Sequence, residues 1–195
     1  MSNQFSFAAF ESDPTPTDRL FFAIFPDTDA AMRIALAAQG LCREHGLTGK
    51  PLETGRFHIT LHHLGDYAGG LSESLVAQGR EAGAALGTAP FEITFDRATS
   101  FAGKPGKLPL VLRGGNGLDA LTAFQHSLGT AMAKTGLARR VETNFTPHVT
   151  LSYGDRRIVE QPIEPISWTV REFVLVHSLL GKTRHIPLGR WPLQG

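Results

Sequence analysis

The sequence predicts an α+β fold with largely antiparallel sheets, arranged as two half-domains of similar build. Two observations predict it. Strand-like and helix-like segments are mixed along the chain without strict alternation. In addition, one short pattern occurs twice: Phe57-His58-Ile59-Thr60-Leu61 is echoed by Pro147-His148-Val149-Thr150-Leu151. A Gly-Asp pair follows each copy, Gly65-Asp66 and Gly154-Asp155. The copies lie 90 positions apart, too far for a solenoid repeat, and the spacing fits two halves facing each other.

The elements follow in order. Arg19 to Phe25 is aromatic and branched and reads as a strand, stopped by Pro26-Asp27. Asp27 to Cys42 is Ala-rich, with Asp27 or Thr28 as N-cap, and reads as a helix ending near Gly46. A Gly/Pro loop leads to the first motif, which alternates apolar and polar residues at period two. Ser72 to Leu86 reads as a helix; Phe91 to Phe95 and Leu108 to Leu112 read as strands around a mobile loop at Gly103–Lys107. Leu118 to Thr135 is a helix ended by Gly136. Val149 to Tyr153 is a strand, Trp168 to Leu180 one long strand, and Ile186 to Trp191 the closing strand.

Composition sets the bounds. A chain of 195 residues with 42% hydrophobic and 19% charged residues suits a single globular domain. The expected division is a flexible tail over residues 1–18 and one bilobal domain over 19–195. No apolar run is long enough for a membrane span, and the N-terminus lacks the basic and apolar regions of a secretory signal. The cytoplasm is the default address, and a monomer is expected. The single cysteine, Cys42, excludes an internal disulfide and multi-cysteine zinc sites; it reads as a small buried residue on a helix. A net charge of +1 lacks the basic excess used to grip long nucleic acid. A small ligand or an oligonucleotide end fits better.

The motif carries the chemistry. On a strand, His58 and Thr60 share one face about 7 Å apart, as do His148 and Thr150. Phe57, Ile59, Leu61, Val149 and Leu151 take the other face. If both polar faces meet at one cleft, two imidazoles and two hydroxyls converge. Attack at phosphorus needs a base to take a proton from water, and departure of the ester oxygen needs an acid. Histidine serves both roles near neutral pH, and threonine hydroxyls donate to non-bridging oxygens as charge builds there. No metal or other cofactor is required. His58 and His62 are four apart, but on a strand, and no HExxH motif or cysteine pair accompanies them. Regular alternation puts His62 on the face of His58, where it borders the cleft or sits at the surface, and turns His63 and Tyr153 toward the apolar face; His62, Tyr153, Arg156 and Phe101 are the candidate substrate-binding residues. His45, His126, His177 and His185 have no companion motif and read as structural or exposed.

These residues resemble the 2H phosphoesterase superfamily, and within it the bacterial and archaeal RNA 2′,3′-cyclic phosphodiesterases, also called 2′-5′ RNA ligases. The resemblance runs from Arg19 to the C-terminus through RLFFAIF, FHITL, PHVTL and FVLVHSLLG. It implies two pseudo-symmetric lobes with a cleft between antiparallel sheets. It also implies His58 and His148 as an acid–base pair and Thr60 and Thr150 on the phosphate. The implied partner is an RNA end or nucleotide carrying a cyclic phosphate. Two positions depart. Where that branch often carries an arginine five residues after the second motif histidine, this chain has Tyr153, and a late family tyrosine is replaced by His185. Arg156 or Arg157 in the following loop is the candidate substitute.

The remaining candidates are weaker. Phe101 would stack on a base, with a core role as the alternative. Lys104 and Lys107 read as a solvated loop, and Arg139 and Arg140 suit a helix end. Two other functions fit the same residues. One is the same chemistry on a 2′-5′ oligoadenylate or nucleotide-derived cyclic phosphate. The other is a nucleotide- or RNA-binding module without catalysis.

Overall fold

A computed structural model describes residues 14–194. Residues 1–13 of the expected tail lie outside the described residues. Before Arg19, the Thr17 N–H donates to the Tyr67 carbonyl at 2.8 Å, and Asp18 opens the first strand.

Eight strands form two four-stranded antiparallel sheets. The first has the order β2 (Ile59–Tyr67), β1 (Asp18–Ile24), β7 (Glu172–Leu179), β8 (Arg184–Pro192). The second has the order β5 (Val149–Gly154), β4 (Leu108–Arg113), β3 (Phe91–Ser100), β6 (Gln161–Val170). Both motif strands, β2 and β5, therefore lie at sheet edges. Neither sheet closes into a barrel.

Three helices cover the sheets. α1 (Thr28–Glu44) starts where the Asp27 carboxylate accepts the Ala30 N–H at 2.8 Å. It buries Ala30, Ala31, Ile34, Ala38, Leu41 and Cys42, a helical stripe, against β5 and β6. α2 (Glu73–Ala84) is capped by Ser72 and packs on β7 and β8. α3 (Asp119–Met132) packs on α2, β2 and β3. Its last turn widens over Ala133–Leu137, where Gly136 takes φ 91°, the left-handed geometry that ends a helix without a Cβ penalty. Cys42 is buried, its Sγ 3.7 Å from Ser152 Oγ.

Leu20, Phe22 and Ile24 of β1 join residues of both sheets and all three helices in one continuous apolar core. The opposite face of β1 is also apolar: Phe21 and Ala23 pack with Val174 and Val176 in a small separate cluster.

One expectation needs correction. Trp168 to Leu180 is two strands, not one, divided at Arg171. Core-facing residues are Ile166, Trp168 and Val170 before the break, and Phe173 and Leu175 after it. The alternation changes phase as the chain leaves one sheet for the other. The first half of β6 also escapes the pattern, because Pro162 and Pro165 interrupt it. An edge strand tolerates both prolines.

The loop between α1 and β2 fastens the lobes together. It runs along the free edge of β5: the Leu52 N–H donates to the Leu151 carbonyl at 2.7 Å, and Pro51 bridges Ser152. Gly49 sits so close that a Cβ there would lie 2.0 Å from the Tyr153 carbonyl oxygen. Gly49→Ala is expected to cost about 1–3 kcal/mol, because backbone must move aside. A thermal melt at or above the wild-type midpoint would show that this edge pairing adds nothing to stability.

Candidate active site

The structure brings both motifs to one cleft, but by a different geometry from regular alternation. Along β2, Phe22 pairs with His62 and Ala23 with Thr60, so Leu61 is an extra, unpaired residue. Along β5, Leu110 pairs with Ser152 and Val111 with Thr150, so Leu151 is extra. Each motif thus carries a β-bulge at its leucine, which reverses the facing of the residues that follow it; a second irregularity farther along β2 leaves Leu64 unpaired. The cleft receives His58, Thr60 and His63 from one lobe and His148, Thr150 and Tyr153 from the other.

The bulge corrects two expectations. His62 does not border the cleft. It is fully buried, with Nε2 2.9 Å from the Gln125 carbonyl, and its Nδ1 accepts the Glu142 N–H at 3.0 Å. Every polar atom of that ring is satisfied inside the protein, and burial holds its pKa down. Tyr153, expected on the apolar face, is half exposed and lines the cleft, as does His63.

The two motif histidines are held alike. His58 Nδ1 lies 2.7 Å from the Arg56 carbonyl, and His148 Nδ1 lies 2.7 Å from the Thr146 carbonyl. A carbonyl only accepts, so each Nδ1 carries hydrogen and each neutral ring keeps its Nε2 lone pair. Neither Nε2 has a partner among the described residues. The His58 ring packs against Phe21, Phe25 and His185, with centroids 5.2, 5.9 and 5.3 Å away. Phe101 meets the His148 ring edge-on at 5.0 Å; it braces this histidine and is not a wall of the cleft. Loss of water pushes His58 down from 6.5 to about 4 and lowers His148 as well.

The remaining walls include residues that the motifs did not reveal: Arg19, Phe21, Arg56, His185 and the β7–β8 turn through Thr183. Arg19 and Phe21 follow from β1 alternation, since both share the face opposite Leu20 and Phe22. Arg56 carries no such signal; His185, read from the sequence as structural or exposed, lines the cleft instead, at the position where the resemblance marks a replaced tyrosine. The Arg19 guanidinium grips both oxygens of Asp66 at 2.7 Å, and His63 Nε2 lies 2.9 Å from Asp66 Oδ1. Arg19 first, with His63 after it, holds Asp66 down at about 2. Arg156 and Arg157 are exposed beyond the end of β5 and outside the cleft. The enclosed volume is about 480 Å³, within the usual range of small-molecule sites. Among the described residues no three His, Cys, Asp or Glu side chains group as metal ligands, and no helix is long and apolar enough to cross a membrane.

Two edge strands, each bringing a bulged His-x-Thr motif to a shared cleft between antiparallel sheets, define a 2H phosphoesterase. The chain belongs to the 2′-5′ RNA ligase superfamily, whose sequence profile matches residues 25–182. It is similar to Escherichia coli LigT in its apo form, with 26% identity and a TM-score of 0.70, covering 93% of this chain and 100% of that one. The Thermus thermophilus protein TT0787 shares the fold at 22% identity and a TM-score of 0.67, over 91% of this chain and 98% of that one. Usb1 of Kluyveromyces marxianus shares it at 11% identity and a TM-score of 0.51, over 92% and 99%. No curated protein matches the sequence.

A proton balance follows from the histidine environments. The unfolded chain takes up a proton near pH 6.5 that the folded His58 refuses until about 4. The folded state should therefore lose stability as pH falls from 6.5 toward 4, with no further loss from this group below that. An NMR titration of the His58 ring is expected to show its midpoint near 4. A midpoint at 6.5 or above would mean that water reaches the ring freely.

Proposed function

We propose that this chain opens a 2′,3′-cyclic phosphate at an RNA or nucleotide end. One motif histidine takes a proton from water as its oxygen bonds to phosphorus. The other gives a proton to the ribose oxygen as that P–O bond breaks. The products are a phosphomonoester on one hydroxyl and a free neighbouring hydroxyl. Thr60 and Thr150 donate to the non-bridging oxygens, where negative charge grows. With a 5′-hydroxyl in place of water, the same ring opening forms a 2′-5′ bond as the 3′ oxygen leaves. The ring opening drives that step, so no nucleoside triphosphate is consumed.

One observation carries this reading: two imidazoles, each anchored through Nδ1 to its own backbone and each keeping Nε2 free, line the same cleft with a threonine beside each. Solved complexes of E. coli LigT with 3′-AMP and with phosphate add weight, at 26% and 25% identity to this chain. A nucleoside monophosphate is the kind of product that opening a cyclic phosphate releases; loss of the 3′ oxygen leaves the phosphate on the 2′ position, and loss of the 2′ oxygen leaves it on the 3′ position.

The test is turnover of a panel of 2′,3′-cyclic nucleotides and 2′-5′-linked dinucleotides. His58→Ala and His148→Ala should each cut the rate by about 10²- to 10⁴-fold while leaving the thermal melt in place. A folded double variant that turns over at the wild-type rate would sink the proposal. Tight nucleotide binding with no turnover on any panel member would favour a binding module instead.

A second expectation concerns metals. Chelator-treated protein should keep its rate, because proton transfer here needs only side chains. Activity lost on chelation and restored by zinc or manganese would overturn that.

A further inference from the structure

Two arginines line the cleft, and they stand in opposite electrostatic states. Arg19 is neutralised by the two oxygens of Asp66. Arg56 has no carboxylate within ion-pair distance among the described residues, and its guanidinium donates no hydrogen bond there. Its Nε is buried and without a partner. A guanidinium offers five donors, and leaving a buried donor unmade costs stability. The side chain is half-buried, so water does not solvate it in full.

The position of Arg56 gives that unmet donor a direction. It closes the short turn Thr54–Arg56, and its own carbonyl takes the His58 Nδ1 hydrogen. The residue is thus tied to the motif histidine through its backbone, while its side chain lines the same cavity. Its positive charge is felt by both His58 and His185, secondary in each case to burial. His185 stands edge-on to His58 at 84° and also has a buried, unpartnered nitrogen, Nδ1. Two unsatisfied donor-bearing side chains from different elements therefore meet beside one motif histidine. The opposite wall offers no cation: Tyr153 is a phenol, and Arg156 and Arg157 stay outside.

We propose that Arg56 is the phosphate-binding cation of this cleft, with His185 completing an anion-binding corner beside His58. A planar guanidinium spans two non-bridging phosphate oxygens. A bound phosphate satisfies the buried Nε and supplies a counter-charge. It also offsets the repulsion that Arg56 exerts on protonated His58. This inference rests on the phosphoesterase reading of the site for its ligand, but its test does not depend on turnover.

Inorganic phosphate and adenosine 3′-monophosphate are the probes, measured by calorimetry at low and moderate salt. Arg56→Gln should weaken binding of both by about tenfold to a hundredfold, and Arg56→Lys should recover part of the loss. Arg156→Gln should bind as wild type. The groups whose charge reaches His58 are His185, His148 and Arg56, so Arg56→Gln should also move the His58 titration upward. Phosphate should raise the His58 titration in the wild type and do so less in Arg56→Gln, a difference that a purely structural role would not produce. Unchanged phosphate affinity in a folded Arg56→Gln variant would overturn the proposal. Should that variant fail to fold, the wild-type protein still decides: phosphate must shift the Arg56 Nε–H resonance, and an unmoved resonance at saturation overturns it. If no cyclic phosphate is turned over but Arg56→Gln loses phosphate binding, the anion corner stands and the catalytic reading falls. If His58→Ala abolishes turnover while Arg56→Gln binds phosphate normally, the reverse holds.

Discussion

One unpaired leucine inside each motif, Leu61 and Leu151, determines what the cleft presents. Before the bulge, His and Thr face the cleft and their neighbours face the core. After it the facing reverses, so that His62 and Ser152 turn inward while His63 and Tyr153 turn outward. The inward pair is put to structural use. His62 ties β2 to α3 through the Gln125 carbonyl, and Ser152 meets Cys42 of α1. The Leu151 carbonyl is also the group that the Leu52 N–H engages. The same local defect that shapes the cleft therefore fastens the lobes behind it.

The electrostatics of the cleft follow from that enclosure. Two histidines placed against aromatic rings lose water and resist protonation. At neutral pH the free site holds two uncharged imidazoles, and an acid–base pair needs one of them charged. An anionic substrate supplies the condition, because a nearby negative charge favours the protonated ring. On the proposed function, binding and proton uptake are linked, and the site gains its acid as it gains its phosphate. The carboxylate that would otherwise do this, Asp66, is already committed to Arg19 and His63.

Much of this was legible in the sequence. The repeated motif locates four of the cleft side chains, and helix caps such as Asp27 and Ser72 are visible as residue types. Antiparallel pairing follows from the element order. The rest was hidden for physical reasons. A bulge leaves no mark on an apolar-polar string, since Leu61-His62 reads equally well in either phase. The break at Arg171 shows only as two adjacent charged residues, Arg171 and Glu172. Arg56 and His185 lie 129 positions apart in the chain. Their meeting depends on β8 joining the first sheet through β7, a tertiary fact that no local pattern carries.

The two lobes are built alike but are not equivalent, and the difference bears on the chemistry. His58 is enclosed by Phe21, Phe25 and His185, whereas among the described residues Phe101 is the one aromatic partner of His148. The floor beside His58, made by Phe21, Ala23, Val174 and Val176, belongs to the first sheet. Greater enclosure removes more water, and His58 is accordingly driven down to about 4, farther than His148. Two histidines in matched surroundings would compete for one proton on equal terms. Unequal surroundings push their proton affinities apart, which lets one ring remain a base while its neighbour carries the proton. On the proposed function, the broken symmetry of the lobes gives the two motif histidines separable roles.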